Sequence, residues 1–331
     1  MSVADHTSVS VTLCTYQGER YLQAQLDSLL VQSRLPDEIV IFDDASIDAT
    51  WSLLQDFQRQ ATARGIRVRA QANATNVGYV ANFQQALNAA TGDLLFLCDQ
   101  DDVWHSDKIE RFVQEFQRRG DLLMLHSDAR LVDAQGASLG DNLLDTLEVT
   151  SKELETVHVG RAFDVLLRRN IVTGATMAVR RRVIERGFNV PPGWIHDEWL
   201  AMTAAAQGRI DCLEAQTIDY RQHDRNQIGV RRQGYFERLF TDGTVHGELM
   251  VRMRDRIQTL LDLAEEGAFP LNGHDLESVR ERLIHARLRA NPPRNVMARI
   301  AAVRREYATG RYVRFSNGPR SAISDLVRRR P

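Results

Sequence analysis

The sequence lacks most of the features that settle a protein's class at a glance. Its 331 residues hold only three cysteines, Cys14, Cys98 and Cys212. They lie far apart with no zinc-type pairing, which points to reduced core or strand-end thiols and against a disulfide framework. No apolar run approaches the roughly 18–20 residues that a membrane span needs. The opening MSVADHTSVS has no signal-peptide layout, so a cytoplasmic location is expected. Repeats and low-complexity stretches are missing too. After the first apolar strand stands TYQGER where a dinucleotide-binding chain carries G-x-G-x-x-G, which argues against an NAD-type Rossmann enzyme. No nucleic-acid-binding module accompanies the basic residues, so nucleic acid is not an expected partner.

What is present reads as a soluble α/β chain. Hydrophobic residues make up 43% and charged residues 26%, ordinary values for a globular protein with a real core. The net charge of −2 hides an asymmetry. From Arg280 onward 14 arginines face only Glu281, Glu306 and Asp325, a surplus of +11 that leaves −13 on the remainder. A basic tail on an acidic body suggests an anionic partner, either a membrane surface or the body itself.

Short apolar strands alternate with helical periodicity. VSVTLC (Val9–Cys14) predicts a buried strand, and Glu19–Gln32 places Leu22, Leu26, Leu29 and Leu30 on one helical face. EIVIF, IRVRA and DLLFLC predict further strands, separated by helices over about 49–63 and 79–90. Such alternation implies right-handed βαβ units and a mostly parallel sheet. The pattern continues with a helix over 107–119, a strand at LLMLHSD, an irregular loop over 137–159, and a strand at TGATMAVR. WIHDEWLAMTAAAQG predicts a loop entering a helix, and from about Gly234 the periodicity is helical, broken at Pro270 and Asn291–Pro293.

Ligands of open α/β sheets sit beyond the carboxyl ends of the strands. That rule selects Thr15–Tyr16, Asp43–Asp44 and Asp99–Asp102, each directly after its strand. In DQDDVW, Asp99, Asp101 and Asp102 are separated only by Gln100, and like charges this close repel unless a cation or donors lie among them. Paired carboxylates after a buried strand suit a hard divalent cation that shares its remaining positions with phosphates. The alternative makes these acids caps for the next helix, and FDDASID is open to the same reading as turn and cap residues.

Together VTLCTYQGERYLQAQLDSLLVQS, EIVIFDDASIDAT, NVGYVANFQQAL and GDLLFLCDQDDVWHSDKI resemble family 2 glycosyltransferases. The DQDDVW form is similar to the rhamnosyltransferase-type branch of bacterial surface-polysaccharide synthesis. The resemblance covers about residues 8–230 and implies the GT-A fold, a nucleotide-sugar donor, and Mg²⁺ or Mn²⁺. It implies a nucleotide-binding half over 1–105 and an acceptor-binding and catalytic half over 106–232, and the helical periodicity beyond them makes 233–331 a helical, Arg-rich extension. Thr15, Tyr16 and Glu19 would line the nucleotide pocket, and Asp44 would contact base or ribose. Asn76, Gly78 and Asn82 match the N-x-G loop near the donor. Asp99 and Asp101 match the metal motif, Asp101 as the direct ligand, and Asp102 has no assigned role. Gln17 stands where Asn is common, and Cys14 where relatives carry a hydroxyl, which leaves the base preference open.

WIHDEWL resembles the family's acidic catalytic motif, with Asp197 as general base and His196 in place of the usual Glu. Inverting transfer needs a base to take the acceptor hydroxyl's proton as it attacks the anomeric carbon. The alternative for Asp197 is helix N-cap. YRQHDRNQIG resembles a stretch that closes over the donor diphosphate, where Arg221 would meet phosphate and His223 phosphate or metal. Gly174, Ala175 and Thr176 would line the acceptor channel, and Trp104, Trp194 and Trp199 are candidate sugar platforms or core residues. The implied donor is dTDP-rhamnose or a UDP-sugar, and the acceptor a glycan or lipid-linked glycan. The arginine-rich tail could rest on an anionic membrane surface on the inner face of the cytoplasmic membrane. Rival classes are a non-catalytic nucleotide-sugar-binding subunit and a nucleotidyltransferase.

Overall fold

The computed structural model describes residues 6–224 and 243–327. They fall into two units. One takes Met1–Ala162, Ile171–Val190 and Ile195–Arg231; the other takes Phe163–Asn170, Pro191–Trp194 and Arg232–Pro331. The expected division at 105/106 thus lies inside the first unit, and the one at 232/233 lies outside the described residues. Two short central segments also join the second unit, which no composition shift in the sequence announces.

In the first unit β1 (Val9–Thr15), β2 (Glu38–Asp43), β3 (Arg67–Ala72) and β4 (Leu94–Cys98) are joined by α1 (Leu22–Leu30), α2 (Thr50–Ala63) and α3 (Tyr79–Ala89). They pair in parallel in the order β3-β2-β1-β4. The apolar alternation dictates this half. Val9, Val11, Leu13, Ile39, Ile41, Leu94 and Phe96 are fully buried, as are Leu22, Leu26 and Leu29 of α1. Burying each such side chain contributes about 1.5–3 kcal/mol.

Past β4 come β5 (Val103–Trp104), α4 (Lys108–Arg118), β6 (Leu122–Val132) and β7 (Ser138–Asn142). The short helices α5 (Leu143–Thr146) and α6 (Ser151–His158) follow, then β8 (Met177–Arg180), α8 (His196–Gln207) and β9 (Arg209–Arg221). The sheet continues β4-β8-β6-β9-β5 with β7 on β6. The β4–β8, β6–β8, β6–β7 and β5–β9 pairs are antiparallel, and β6–β9 is parallel.

Three readings of this half are corrected. The stretch 137–159 holds β7, α5 and α6 where an irregular loop was expected. Its order comes from caps: the Asn142 side chain accepts from Asp145 N, and Thr150 with Glu153 forms a capping box. Polar caps of this kind look like loop composition. The segment expected to be all strand at TGATMAVR begins as a 3₁₀ turn, Gly174–Thr176, before β8. The 13-residue strand β9 escaped notice because DCLEAQTIDYR mixes charged and polar residues with apolar ones, although most of the strand is buried.

The second unit holds α7 (Ala162–Arg168), α9 (Gly243–Glu265), α10 (Gly273–Ala290), α11 (Val296–Ala308), α12 (Arg311–Phe315) and α13 (Pro319–Val327). Its centre is polar. His285, fully buried, meets Glu306 at 2.9 Å, while Arg289 Nε and the Tyr312 hydroxyl each donate to Asp325 at 2.9 Å. Arg282 Nε donates to the Leu167 carbonyl at 3.1 Å. Several arginines of the basic tail therefore serve internal bonds, while Arg294, Arg304 and Arg305 are exposed beside the exposed Val296 and Met297. Among the described residues no helix is long and apolar enough to cross a membrane.

Candidate active site

The carboxyl ends of β1 and β2 are tied together by their own side chains. Thr15 Oγ1 donates to Asp43 Oδ1 at 2.7 Å, and Asp43 also accepts from Ser46 N and Oγ. Asp44 accepts from Val77 N and Gly78 N at 2.8 Å and from Asn73 Nδ2 at 2.9 Å. Asn76 Nδ2 donates to the Asp44 carbonyl at 3.3 Å, and Asn82 Nδ2 to the Phe42 carbonyl at 2.8 Å. Gly78 holds φ +85, a conformation that glycine alone adopts without strain. Gln17 and Ala45 take φ +51 and +62 in the turns after β1 and β2, the kind of local strain that collects at binding sites.

Beside these ends lies the acidic turn after β4. Gln100 clamps it to the first turn: its Oε1 accepts from Tyr16 N at 2.8 Å and its Nε2 donates to Tyr16 O at 3.0 Å. A Cβ at Gly18 would sit 2.3 Å from Gln100 Oε1 and would push the clamp aside. Tyr16 itself is 43% exposed, open to a flat ligand. Asp101 Oδ2 meets His223 Nε2 at 2.8 Å. Arg221 N donates to Asp102 Oδ1 at 3.0 Å, and Arg221 Nε to the Asp101 carbonyl at 2.8 Å. Tyr21 stacks on His223 at 4.6 Å with the Arg221 guanidinium 5.0 Å from its ring.

The acids of this turn are electrostatically uncomfortable. Burial, then the charges of Asp101 and Asp197, push the Asp99 carboxyl up to about 7. Burial, then Asp101 and Asp99, hold Asp102 well above the ordinary carboxylate range, and its Oδ2 has no hydrogen-bond partner. Among the described residues no three histidine, cysteine or carboxylate side chains gather as a ready metal cluster. The donors do fit an ion that takes one or two protein ligands and completes its shell with phosphate oxygens, with Asp101 and His223 as the candidate pair.

Asp197 lies in the first turn of α8, and the N-cap position falls on Ile195. Its Oδ2 accepts from Gly174 N at 2.9 Å and its Oδ1 from Glu198 N at 2.8 Å. Gly174 permits this approach, because a Cβ there would stand 3.2 Å from Asp197 Cβ. His196 stacks on Phe83 at 4.1 Å, and burial drives its imidazole down to about 3. The influence of Asp197 on Asp99, and of all four aspartates on Tyr220, marks these carboxylates as neighbours.

The sequence profile of Glycosyl transferase family 2 matches residues 10–188, more than half of the chain. The protein belongs to that family. An uncharacterized glycosyltransferase of Nostoc sp. is 28% identical over 66% of this chain and 66% of its own length, so the aligned part spans about two thirds of that relative. Solved structures share the fold of this glycosyltransferase. TarS 1-349 of S. aureus in complex with UDP-GlcNAc gives a TM-score of 0.58 at 16% identity, covering 96% of this chain and 89% of that one. Mannosyltransferase PcManGT of Pyrobaculum calidifontis, in complex with GDP-Man and Mn²⁺, gives 0.51 at 18% identity over 99% and 89%. The fold is GT-A, a mixed sheet flanked by helices with helices at the C-terminus.

Among the expected site residues of this glycosyltransferase, Thr15, Tyr16, Asp99, Asp101, His223 and Asp197 are gathered as described. Others are placed differently. Asp44 and Asn82, each 2% exposed, hold the 73–78 loop and the end of β2, and Asn76 and Gly78 belong to that loop. Glu19 Oε2 accepts from Ala49 N at the start of α2. Arg221 is 7% exposed, with its guanidinium directed at the Asp101, Asp133 and Ala134 carbonyls. Ala175 and Thr176 are buried. Trp104, Trp194 and Trp199 are 2–6% exposed, so each lacks the open ring face that a sugar platform needs. Trp104 lies under the Lys108 ammonium, and in the second unit Trp194 lies 4.2 Å from the Arg256 guanidinium. Residues 225–229 of the expected closing stretch lie outside the described set. The roles of Gln100 and Lys108 were missed. Gln100 and Lys108 stand inside or just after the acidic motif, where polarity alone gives no sign of a partner distant in sequence.

Proposed function

We propose that this glycosyltransferase is inverting and metal-assisted. It moves a sugar from a nucleotide donor to a hydroxyl of a growing, lipid-linked glycan in surface-polysaccharide synthesis. The observation that carries the reading is Asp197, held by two backbone N–H groups in electrostatic reach of the acidic turn. Asp197 takes the proton of the acceptor hydroxyl as that oxygen attacks the anomeric carbon. The bond from that carbon to the diphosphate breaks on the opposite face, the diphosphate leaves with the electron pair, and the configuration inverts.

Asp101 and His223 would hold a Mg²⁺ or Mn²⁺ ion, with Asp99 beside them. Such an ion offsets the negative charge that grows on the departing diphosphate. Tyr16 offers its exposed ring to the base, and the Gln100 clamp fixes that ring's turn against the acidic turn. The rhamnosyltransferase-like DQDDVW motif supports dTDP-rhamnose as donor. A UDP-sugar is the second reading, favoured by the UDP-GlcNAc complex of TarS. The exposed arginines and apolar side chains of α11 support contact with an anionic membrane surface that carries the acceptor.

The test is a thermal-shift panel of dTDP-rhamnose, UDP-sugars and GDP-sugars with and without Mn²⁺, followed by product analysis with the stabilising donor. Mn²⁺-dependent stabilisation by one donor class, with release of the nucleoside diphosphate, is expected. Pyrophosphate release would make the protein a nucleotidyltransferase, and binding without turnover a non-catalytic subunit.

A further inference from the structure

Of the 42 basic residues in this chain only Lys108 and Lys152 are lysine. Lys108 is fully buried at the start of α4, and it is the charge that none of the steps above uses. A buried ammonium costs several kcal/mol unless it is paired and hydrogen-bonded, so its surroundings must explain it. Its Nζ donates to the Ala175 carbonyl at 2.7 Å and lies 3.9 Å from the centre of the Trp104 ring. Burial pulls its ammonium down to about 7, while Cys98, Asp102 and Asp99 draw it back up and feel its charge in return.

The Ala175 carbonyl belongs to the Gly174–Thr176 turn, and Gly174 N is the donor to Asp197 Oδ2. One side chain thus faces the acidic turn with its charge and grips, with its hydrogen bond, the turn that orients Asp197. In a chain so rich in arginine, lysine supplies the more compact of the two cations for this place. A guanidinium is wider, and its fork of donors would need more acceptors than the single carbonyl provides.

We propose that Lys108 is a positioning residue that fixes the Gly174–Thr176 turn against the acidic turn and so holds Asp197 in register with the donor site. The geometric half of this assignment stands without the proposed reaction, while its effect on turnover rests on that reading.

The test therefore has two arms. In the full-length protein, Lys108→Met removes charge and hydrogen bond at similar length. Amide hydrogen exchange at Gly174 is expected to speed about tenfold or more, as the loss of one buried hydrogen bond implies. Exchange at Gly78, whose amide is held by Asp44, stays unchanged. With the donor identified by the panel, kcat per nucleoside-diphosphate-binding site falls about 10- to 100-fold, while the donor KM stays within about threefold. Should Lys108→Met fail to fold, Lys108→Gln, which keeps a donor group but no charge, takes its place with the same expectations for kcat and KM and a smaller rise in exchange. Unchanged exchange at Gly174 overturns the proposal. So does equal loss of protection at Gly174 and Gly78, which would mean general loosening. If the wild type shows no transfer at all, the reaction is wrong and the exchange arm still decides the positioning.

Discussion

Two strand ends of the same sheet carry carboxylates, and they have opposite characters. At the end of β2, Asp43 and Asp44 are fully provided for, with hydroxyl, amide and backbone donors on their oxygens. At the end of β4, Asp99, Asp101 and Asp102 crowd one another, and one buried oxygen of Asp102 has no partner. A satisfied carboxylate holds loops in place, whereas a crowded one stores repulsion that a ligand can relieve. Both ends read alike as acidic pairs after an apolar strand. The donors that separate them come from distant residues such as Val77, Gly78 and Arg221, in loops whose positions only the folded sheet sets.

The comparison is sharpened most by the residue that faces the crowded end. Asp197→Asn should lower the transfer rate about 10²- to 10⁴-fold, the usual value of a positioned general base. It should also lower Tm by a few degrees, because an amide nitrogen would face either Gly174 N or Glu198 N. Initial rates with the identified donor check the first effect and a thermal melt the second. Unchanged rates would remove Asp197 from the chemistry.

The satisfied end should break differently. Asp44→Ala takes the acceptor from Val77 N and Gly78 N and one of the two acceptors of Asn73 Nδ2, which keeps Asn82 Oδ1 at 3.0 Å. In this part-buried loop each lost hydrogen bond costs about 1 kcal/mol, so a total loss of about 2–3 kcal/mol of stability is expected in urea unfolding. An Asp44→Ala protein as stable as wild type, yet poor in donor binding, would return Asp44 to the ligand-contacting role that the family resemblance implies.

Much of this was legible beforehand. The parallel half of the sheet followed from strand–helix alternation, and Asp99, Asp101 and Asp197 from motifs in the right order. The antiparallel half was obscured because β9, though mostly buried, is rich in charged and polar residues. The tryptophans stayed open between platform and core because an aromatic side chain reads the same in a sequence whether it lines a groove or fills a core. Asp102 could not be placed because its partner, the Arg221 amide, is supplied by β9.

That partnership yields a smaller expected effect. Asp102→Asn keeps an acceptor for Arg221 N and should leave the transfer rate within about threefold. Asp102→Ala releases the end of β9 that carries Arg221 and His223 to Asp101, and a loss of about tenfold is expected, the worth of one such hydrogen bond. Equal, large losses in both variants would instead make the Asp102 charge part of the ion's binding site.

The smallest effect is the most direct reading of the crowding itself. Asp99 sits at about 7 in the folded protein against 3.8 ordinarily, so the fold keeps this proton where the unfolded chain has lost it. Raising the pH from about 4 to about 7 therefore removes stability through this group, by the linkage between proton uptake and folding. His126 and His196, driven by burial down to about 4 and about 3, act in the opposite sense: the stability they confer is present above about 6.5 and lost as pH falls. A single melt curve mixes these slopes, and the variant Asp99→Asn separates them. In EDTA the two proteins should melt together near pH 4, where Asp99 is protonated, and the variant should be more stable by a few degrees at pH 8. Replacing EDTA with Mn²⁺ at pH 8 should raise the wild-type Tm more than the variant's, since an ion relieves the repulsion that the amide has already removed. A Tm difference that stays flat across this range would mean that the end of β4 is as well provided for as the end of β2.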